Sequence, residues 1–111
     1  MDLLKWIETI LRERGILKYG ITSDLLVIAP STTVEFDQQN NYYFLANVFG
    51  SLSKAVDGEI IGADEALPIK PHIMQTVCYK HQHFTGRVSV TNNDATQTLY
   101  VEFLIASPKK A

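Results

Sequence analysis

The side chains in this 111-residue sequence best suited to holding a metal are three histidines and one cysteine. His81 and His83 alternate in "KHQHF", so in a β-strand both imidazoles point to the same side. His72 and Cys78 would then complete a set of the kind that binds zinc. The parity works against it. Cys78 stands at an odd offset from both histidines and faces the opposite side unless a bulge intervenes, and His72 lies beyond a proline-bounded loop. The expectation is no metal and no other cofactor, with His81 and His83 as the candidates if one were to bind. A nucleophilic Cys78 would need a base and an orienting group. The sequence shows neither, and a small buried apolar residue is the simpler role for it.

Other residues with chemical potential resolve in the same direction. Asp57, Glu59, Asp64 and Glu65 in "VDGEIIGADEA" lack the ligand spacing of a calcium loop and read as solvated turn acids. "PIKP" has the minimal PxxP form and reads as a rigid connection. Tyr42 and Tyr43 in "NNYYF" have the chemistry to stack on a sugar or a base, a role that competes with packing in a core or interface. There is no glycine-rich phosphate loop, nucleophile elbow or zincin helix. The sequence therefore argues against an enzyme.

Charge narrows the partners. Ten Lys and Arg against twelve Asp and Glu give a formal charge of −2, with the cations scattered from Lys5 to Lys110. A nucleic-acid-binding surface would concentrate them, so none is expected. "MDLLKWIETILRERG" interrupts its apolar residues with Asp2, Lys5 and Glu8, unlike a secretion signal. No apolar run approaches the ~18 residues of a membrane span. A protein made in the cytoplasm is expected. One cysteine excludes an internal disulfide framework.

The elements that would position these residues are legible from periodicity. Residues 3–14 have helical period, with Leu3, Leu4, Ile7, Ile10 and Leu11 on one face and Lys5, Glu8, Arg12 and Glu13 opposite. Asp2 suits the N-cap and Gly15 the residue after the C-cap. From Gly20 the period becomes two, with turn residues about every ten positions. This predicts strands near 24–29, 32–37, 42–49, 58–62, 73–80, 84–91 and 97–106. "DQQNN" reads as a loop, Asp57-Gly58 as a hairpin signal and "TNNDAT" as the last hairpin turn. Pro68 and Pro71 keep "LPIKP" out of a sheet interior. The expected fold is one mainly-β domain over 1–111: an amphipathic helix (1–15) and an antiparallel sandwich (20–106), jelly-roll or immunoglobulin-like.

Several strands are apolar on both sides. In the last one Leu99, Val101, Phe103 and Ile105 alternate with Tyr100, Glu102 and Leu104. "NYYFLANVF" sets Tyr42, Phe44, Ala46 and Val48 against Tyr43, Leu45 and Phe49, and "DLLVIA" is double-sided too. A two-layer sandwich buries one face of each sheet, so a second apolar face needs a further cover. The helix covers part of one sheet at most, and the remainder implies another copy of the chain or a larger partner. The residues expected at such contacts are Leu3, Ile7, Leu11, Tyr43, Leu45, Tyr100 and Leu104, with Leu3, Ile7 and Leu11 docking on the chain's own sheet or on a neighbouring subunit, and Tyr100 and Leu104 lying under the helix or in a subunit interface.

The stretch "TGRVSVTNNDATQTLYVEFLIASPKK" resembles the closing hairpin of small β-sandwich proteins on tailed-phage particles, of the head-decoration or head-fibre kind. It shares with them a Gly-bounded strand, an Asn/Asp-rich turn and a long aliphatic strand ending in Ser-Pro. The resemblance implies a structural role within an assembly, at the virion. The expected function is thus a non-enzymatic assembly subunit that forms a homo-oligomer and docks on a larger particle. The competing expectation is a module binding sugar or metal through Tyr42, Tyr43, His81 and His83.

Overall fold

The computed structural model describes residues 3–50, 56–62, 66–69 and 83–109. Helix α1 spans Leu3–Glu13 and ends as its sequence dictates. Gly15 adopts φ +76°, a left-handed conformation that costs glycine little and a residue with a Cβ more. This allows the Gly15 N–H to donate to Arg12 O (3.0 Å) and the Ile16 N–H to Leu11 O (2.9 Å). That pair of bonds is a Schellman motif, and Ile16 packs in the same cluster as Leu11, the apolar contact that accompanies it.

Among the described residues six strands follow: β1 (Tyr19–Ile28), β2 (Thr33–Gly50), β3 (Gly58–Ile61), β4 (Ala66–Ile69), β5 (His83–Asn92) and β6 (Leu99–Pro108). They form one antiparallel sheet in the order β1-β6-β2-β5-β3-β4. The sheet folds over on itself because β2 belongs to two layers. Its first part, from Thr33 to Asp37, pairs with β5. Its second, from Tyr42 to Gly50, pairs with β6, while Tyr42, Tyr43 and Phe44 also pair with Thr85, Phe84 and His83 at the start of β5, and the register with β5 shifts between Asp37 and Tyr42. Layer A is thus β1, β6 and the second part of β2, with residues 83–85 of β5 beside it; layer B is the first part of β2 with the rest of β5, β3 and β4. The layers meet closely at Gly58, where a Cβ would lie 2.8 Å from a Leu99 methyl and 3.0 Å from Thr91 O, so only glycine fits there without displacing a neighbour.

The core between the layers contains Ile28, Tyr43, Leu45, Val48, Ile60, Val88, Val90, Leu99, Val101 and Phe103. Phe36 of layer B stacks on Tyr43 of layer A (5.2 Å, 30°). A second cluster lies outside layer A, where α1 puts Trp6, Ile7 and Leu11 onto Phe44 and Ala106. Ile7 and Leu11 are fully buried, each contributing about 1.5–3 kcal/mol relative to exposure.

The mainly-β sandwich with an N-terminal helix stands, and several details are corrected. "DQQNN" lies within β2, because the chain there passes from one layer to the other in extended form. "TNNDAT" is not a hairpin turn: β5 and β6 do not pair, and it leads from the end of β5 in layer B to the start of β6 in layer A. Asp57-Gly58 does not make a tight turn of its own, since Gly58 already pairs with both Ile69 and Asn92. Residues 66–69 form an additional strand, the last in the sheet among the described residues, a position where Pro68 is tolerated. The helix buries Trp6, whereas Leu4 is 55% exposed. The expected strand at 73–80, with His72, Cys78 and His81, and the acids Asp64 and Glu65, lies outside the described residues.

A candidate association face on the outer sheet

Layer A presents its outer face as four cross-strand rows. Register places Ile21 beside Ala106 and Tyr42, Ser23 beside Leu104 and Phe44, Leu25 beside Glu102 and Asn47, and Val27 beside Tyr100 and Phe49. The helix covers the β6 and β2 members of the first two rows, packing on Ala106, Tyr42, Leu104 and Phe44, while Ile21 and Ser23 on β1 stay exposed. Under it Trp6 meets Phe44 edge-on (5.0 Å, 87°). The other two rows lie beyond the helix cluster. There Leu25 is 48% and Val27 61% exposed, and Phe49 stacks flat on Tyr100 (4.8 Å, 7°).

Glu102 sits at the boundary between the covered and open rows. Asn47 Nδ2 donates to its Oε1 (2.6 Å) and Ser23 Oγ to its Oε2 (3.2 Å). Both carboxylate oxygens are therefore satisfied within the chain, which lowers the cost of covering them with a partner. The network depends on a bulge in β2 between Leu45 and Asn47. Unbulged alternation from Leu45 would turn Asn47 toward the core and Val48 outward. With the bulge, Val48 is buried in the core, Asn47 reaches Glu102 and Phe49 meets Tyr100.

The fold redistributes the residues expected at subunit contacts. Tyr43 and Leu45 are corrected to the core between the layers, 1% and 0% exposed, because the parity of β2 up to the bulge turns them inward. Of the two places expected for Ile7 and Leu11, they take the chain's own sheet, buried there with Leu3 and Leu104 partly buried around them. Tyr100 alone of that set borders the open rows. Leu25 and Val27 had a signal in the double-sided "DLLVIA", but the sequence does not show which side stays open.

The described residues among those weighed for ligand chemistry do not converge. His83 is half-buried between Trp6 (5.9 Å) and Phe44 (5.6 Å, 23°). Tyr42 lies under the Arg14 guanidinium, 5.4 Å from the ring centroid, while Tyr43 points into the core. Among the described residues, no group of three or more His, Cys, Asp or Glu is placed to hold a metal.

The far end of the sandwich is closed by polar contacts. The fully buried Asn92 donates through Nδ2 to Ile28 O (3.0 Å) and Gln97 O (2.8 Å), tying β1 to the bridge between the layers. Asp94 Oδ1 accepts the N–H groups of Thr96 and Gln97, both at 2.9 Å. These bonds favour the ionised form and hold the Asp94 carboxyl below its usual value. The cluster is an end closure made from turn chemistry.

No family model matches the chain, and neither does any curated protein. Among solved structures, the chain is similar to the core of Drosophila NLP, whose structure is described as giving insight into pentamer formation and histone binding. The two share 7% identity at a TM-score of 0.51, over 76% of this chain and 97% of that one. At that identity the likeness concerns the fold.

Proposed function

We propose that the protein is a non-enzymatic structural subunit that self-associates through the open rows of layer A. The observation that carries this reading is the patch formed by Leu25, Val27, Phe49 and Tyr100, which the helix leaves uncovered beside an internally satisfied Glu102. An aromatic pair flanked by aliphatic side chains is the composition of an interface centre. A similar fold that forms pentamers supports the reading, since this architecture is compatible with self-association. Attachment of the oligomer to a larger particle, such as a phage virion, rests on the resemblance of the 85–110 stretch. Sugar or metal binding through Tyr42, Tyr43, His81 and His83 finds no common surface among the described members of that set.

The test is the native mass measured by light scattering on a size-exclusion column. The wild-type chain should run as an oligomer, and Leu25→Asp should run as a folded monomer with unchanged far-ultraviolet circular dichroism. A monomeric wild type at about 100 μM, a concentration at which even micromolar contacts form, would refute self-association. A Leu25→Asp variant of unchanged mass would place the contact elsewhere.

A further inference from the structure

At the other end of layer A, about eight residues along β1 from the open rows and hence roughly 25 Å away, the chain gathers cations. Arg14 follows the helix, Lys18 precedes β1 and Lys109 follows β6. The Lys109 N–H donates to Lys18 O (2.9 Å), so the two lysine stems spring from backbone segments tied to one another. Arg14 rests over the Tyr42 ring. None of the three makes an ion pair among the described residues, whereas nearby Arg12 is bonded to Glu8.

These cations border adjoining concavities. One of about 410 Å³ is lined by residues including Lys18, Tyr19, Leu17 and Lys109. Another of about 520 Å³ is lined by residues including Arg14, Tyr42, Thr85 and Lys109. Ile16 and Lys109 line both, so the two hollows share a wall. Leu17, 77% exposed, projects beside the first. Counting Glu8 against Arg12, the lining carries a formal charge of +3 from Arg14, Lys18 and Lys109, in a chain whose formal net charge is −2.

We infer that this basic, partly apolar groove is a docking site for an acidic peptide segment of a partner protein, one that alternates carboxylate and apolar side chains. Three cations on three separate segments suit several carboxylates spaced along a chain better than one compact anion. The apolar Ile16, Leu17 and Pro108 between them offer contacts that a free phosphate would not use. Arg14, with its face occupied by Tyr42, keeps its edge N–H groups for a carboxylate. The site is separate from the association face and does not depend on self-association.

The test uses fluorescence anisotropy with a fluorescein-labelled peptide of alternating glutamate and leucine, at low ionic strength. Wild-type protein should bind it, with affinity falling as salt rises. Lys18→Glu should weaken binding by about tenfold or more. Lys5→Glu, an equal charge change on the exposed side of α1 outside the groove, should change it less than about twofold. Both are surface lysines, so circular dichroism should be unchanged in each. Absence of binding, equal loss in the two variants, competition by inorganic phosphate beyond that of sodium chloride at equal ionic strength, or preferential binding to anionic phospholipid vesicles would each overturn the assignment.

Discussion

The two outer faces of the sandwich are built on the same pleat and differ in what they show to water. On layer B, outward positions carry Thr33, Glu35, Glu59, Ser89 and Thr91, with Thr33 and Thr91 joined across strands through their hydroxyls (3.0 Å). Among the described residues that face is mostly polar outward, with Ile61, 40% exposed beside Ser89, as its exposed aliphatic. On layer A, outward positions carry Phe44, Ala106, Leu104, Tyr100, Phe49, Leu25 and Val27, and the helix covers only part of them. The sheet edges differ in the same sense. Among the described strands, β4 ends the sheet with four residues including Pro68, which guards against further pairing, whereas β1 ends it with ten and no proline. A chain that can make a solvent-compatible face on layer B, yet keeps an apolar face and a long edge on layer A, is suited to meeting something there.

The largest effect that would test this contrast lies beneath the helix. Phe44→Ala removes a fully buried ring that touches both Trp6 and His83, and it should lower unfolding free energy in urea by about 3–5 kcal/mol. A loss under about 1 kcal/mol would mean that α1 is a loosely attached arm and that all of layer A's outer face is in play. Next comes a matched pair of charges on the two faces. Val27→Asp should abolish self-association while changing the monomer's own stability by no more than about 0.5 kcal/mol, and Ser89→Asp on layer B should alter neither mass nor stability. If both variants keep the wild-type mass, the two faces are functionally equivalent.

A smaller effect is expected at the boundary of the open rows. Asn47→Ala deprives Glu102 of its shorter hydrogen bond and should cost the monomer about 1 kcal/mol. It should weaken association further, because a partner would then cover a less well satisfied carboxylate. Association that is unaffected would show that Glu102 stays wet in the oligomer.

The smallest effect concerns the polar end. The folded-state pKa of Asp94 is depressed below 3.8 by the Thr96 and Gln97 N–H bonds. The ionised carboxylate therefore contributes stability that is present above 3.8 and is lost as pH falls through the lower folded value. Melting temperatures of wild type and Asp94→Asn should differ by a constant amount at neutral pH and converge on acidification below 3.8. A gap independent of pH would mean that geometry, not charge, holds the turn.

What the sequence determined by itself was local in origin. The helix and its stop at Gly15 follow from the 3.6-residue period and from the cost a Cβ pays at positive φ. The inward set of β6, Leu99, Val101, Phe103 and Ile105, follows from a strict period of two in a strand whose pairing with β1 is unbroken. The need for an extra cover over a double-sided strand was legible for the same reason. Tertiary structure alone decided which strands pair. "TNNDAT" has the residues of a hairpin turn, yet β2 takes the place between β5 and β6, since strand partnership depends on contacts far apart in sequence. Tertiary structure also set the bulge after Leu45. It sends Asn47 to Glu102 and Phe49 to Tyr100 and leaves Tyr43 and Leu45 in the core. The pattern "LANV", in which strict alternation would bury an asparagine, hints at such a shift, but only the facing strand fixes where the extra residue is absorbed. The helix, finally, can lie over one pair of rows or another with similar local energetics. It is the packing of Trp6 on Phe44 that puts it over Leu104 and Ala106 and leaves Leu25 and Val27 open.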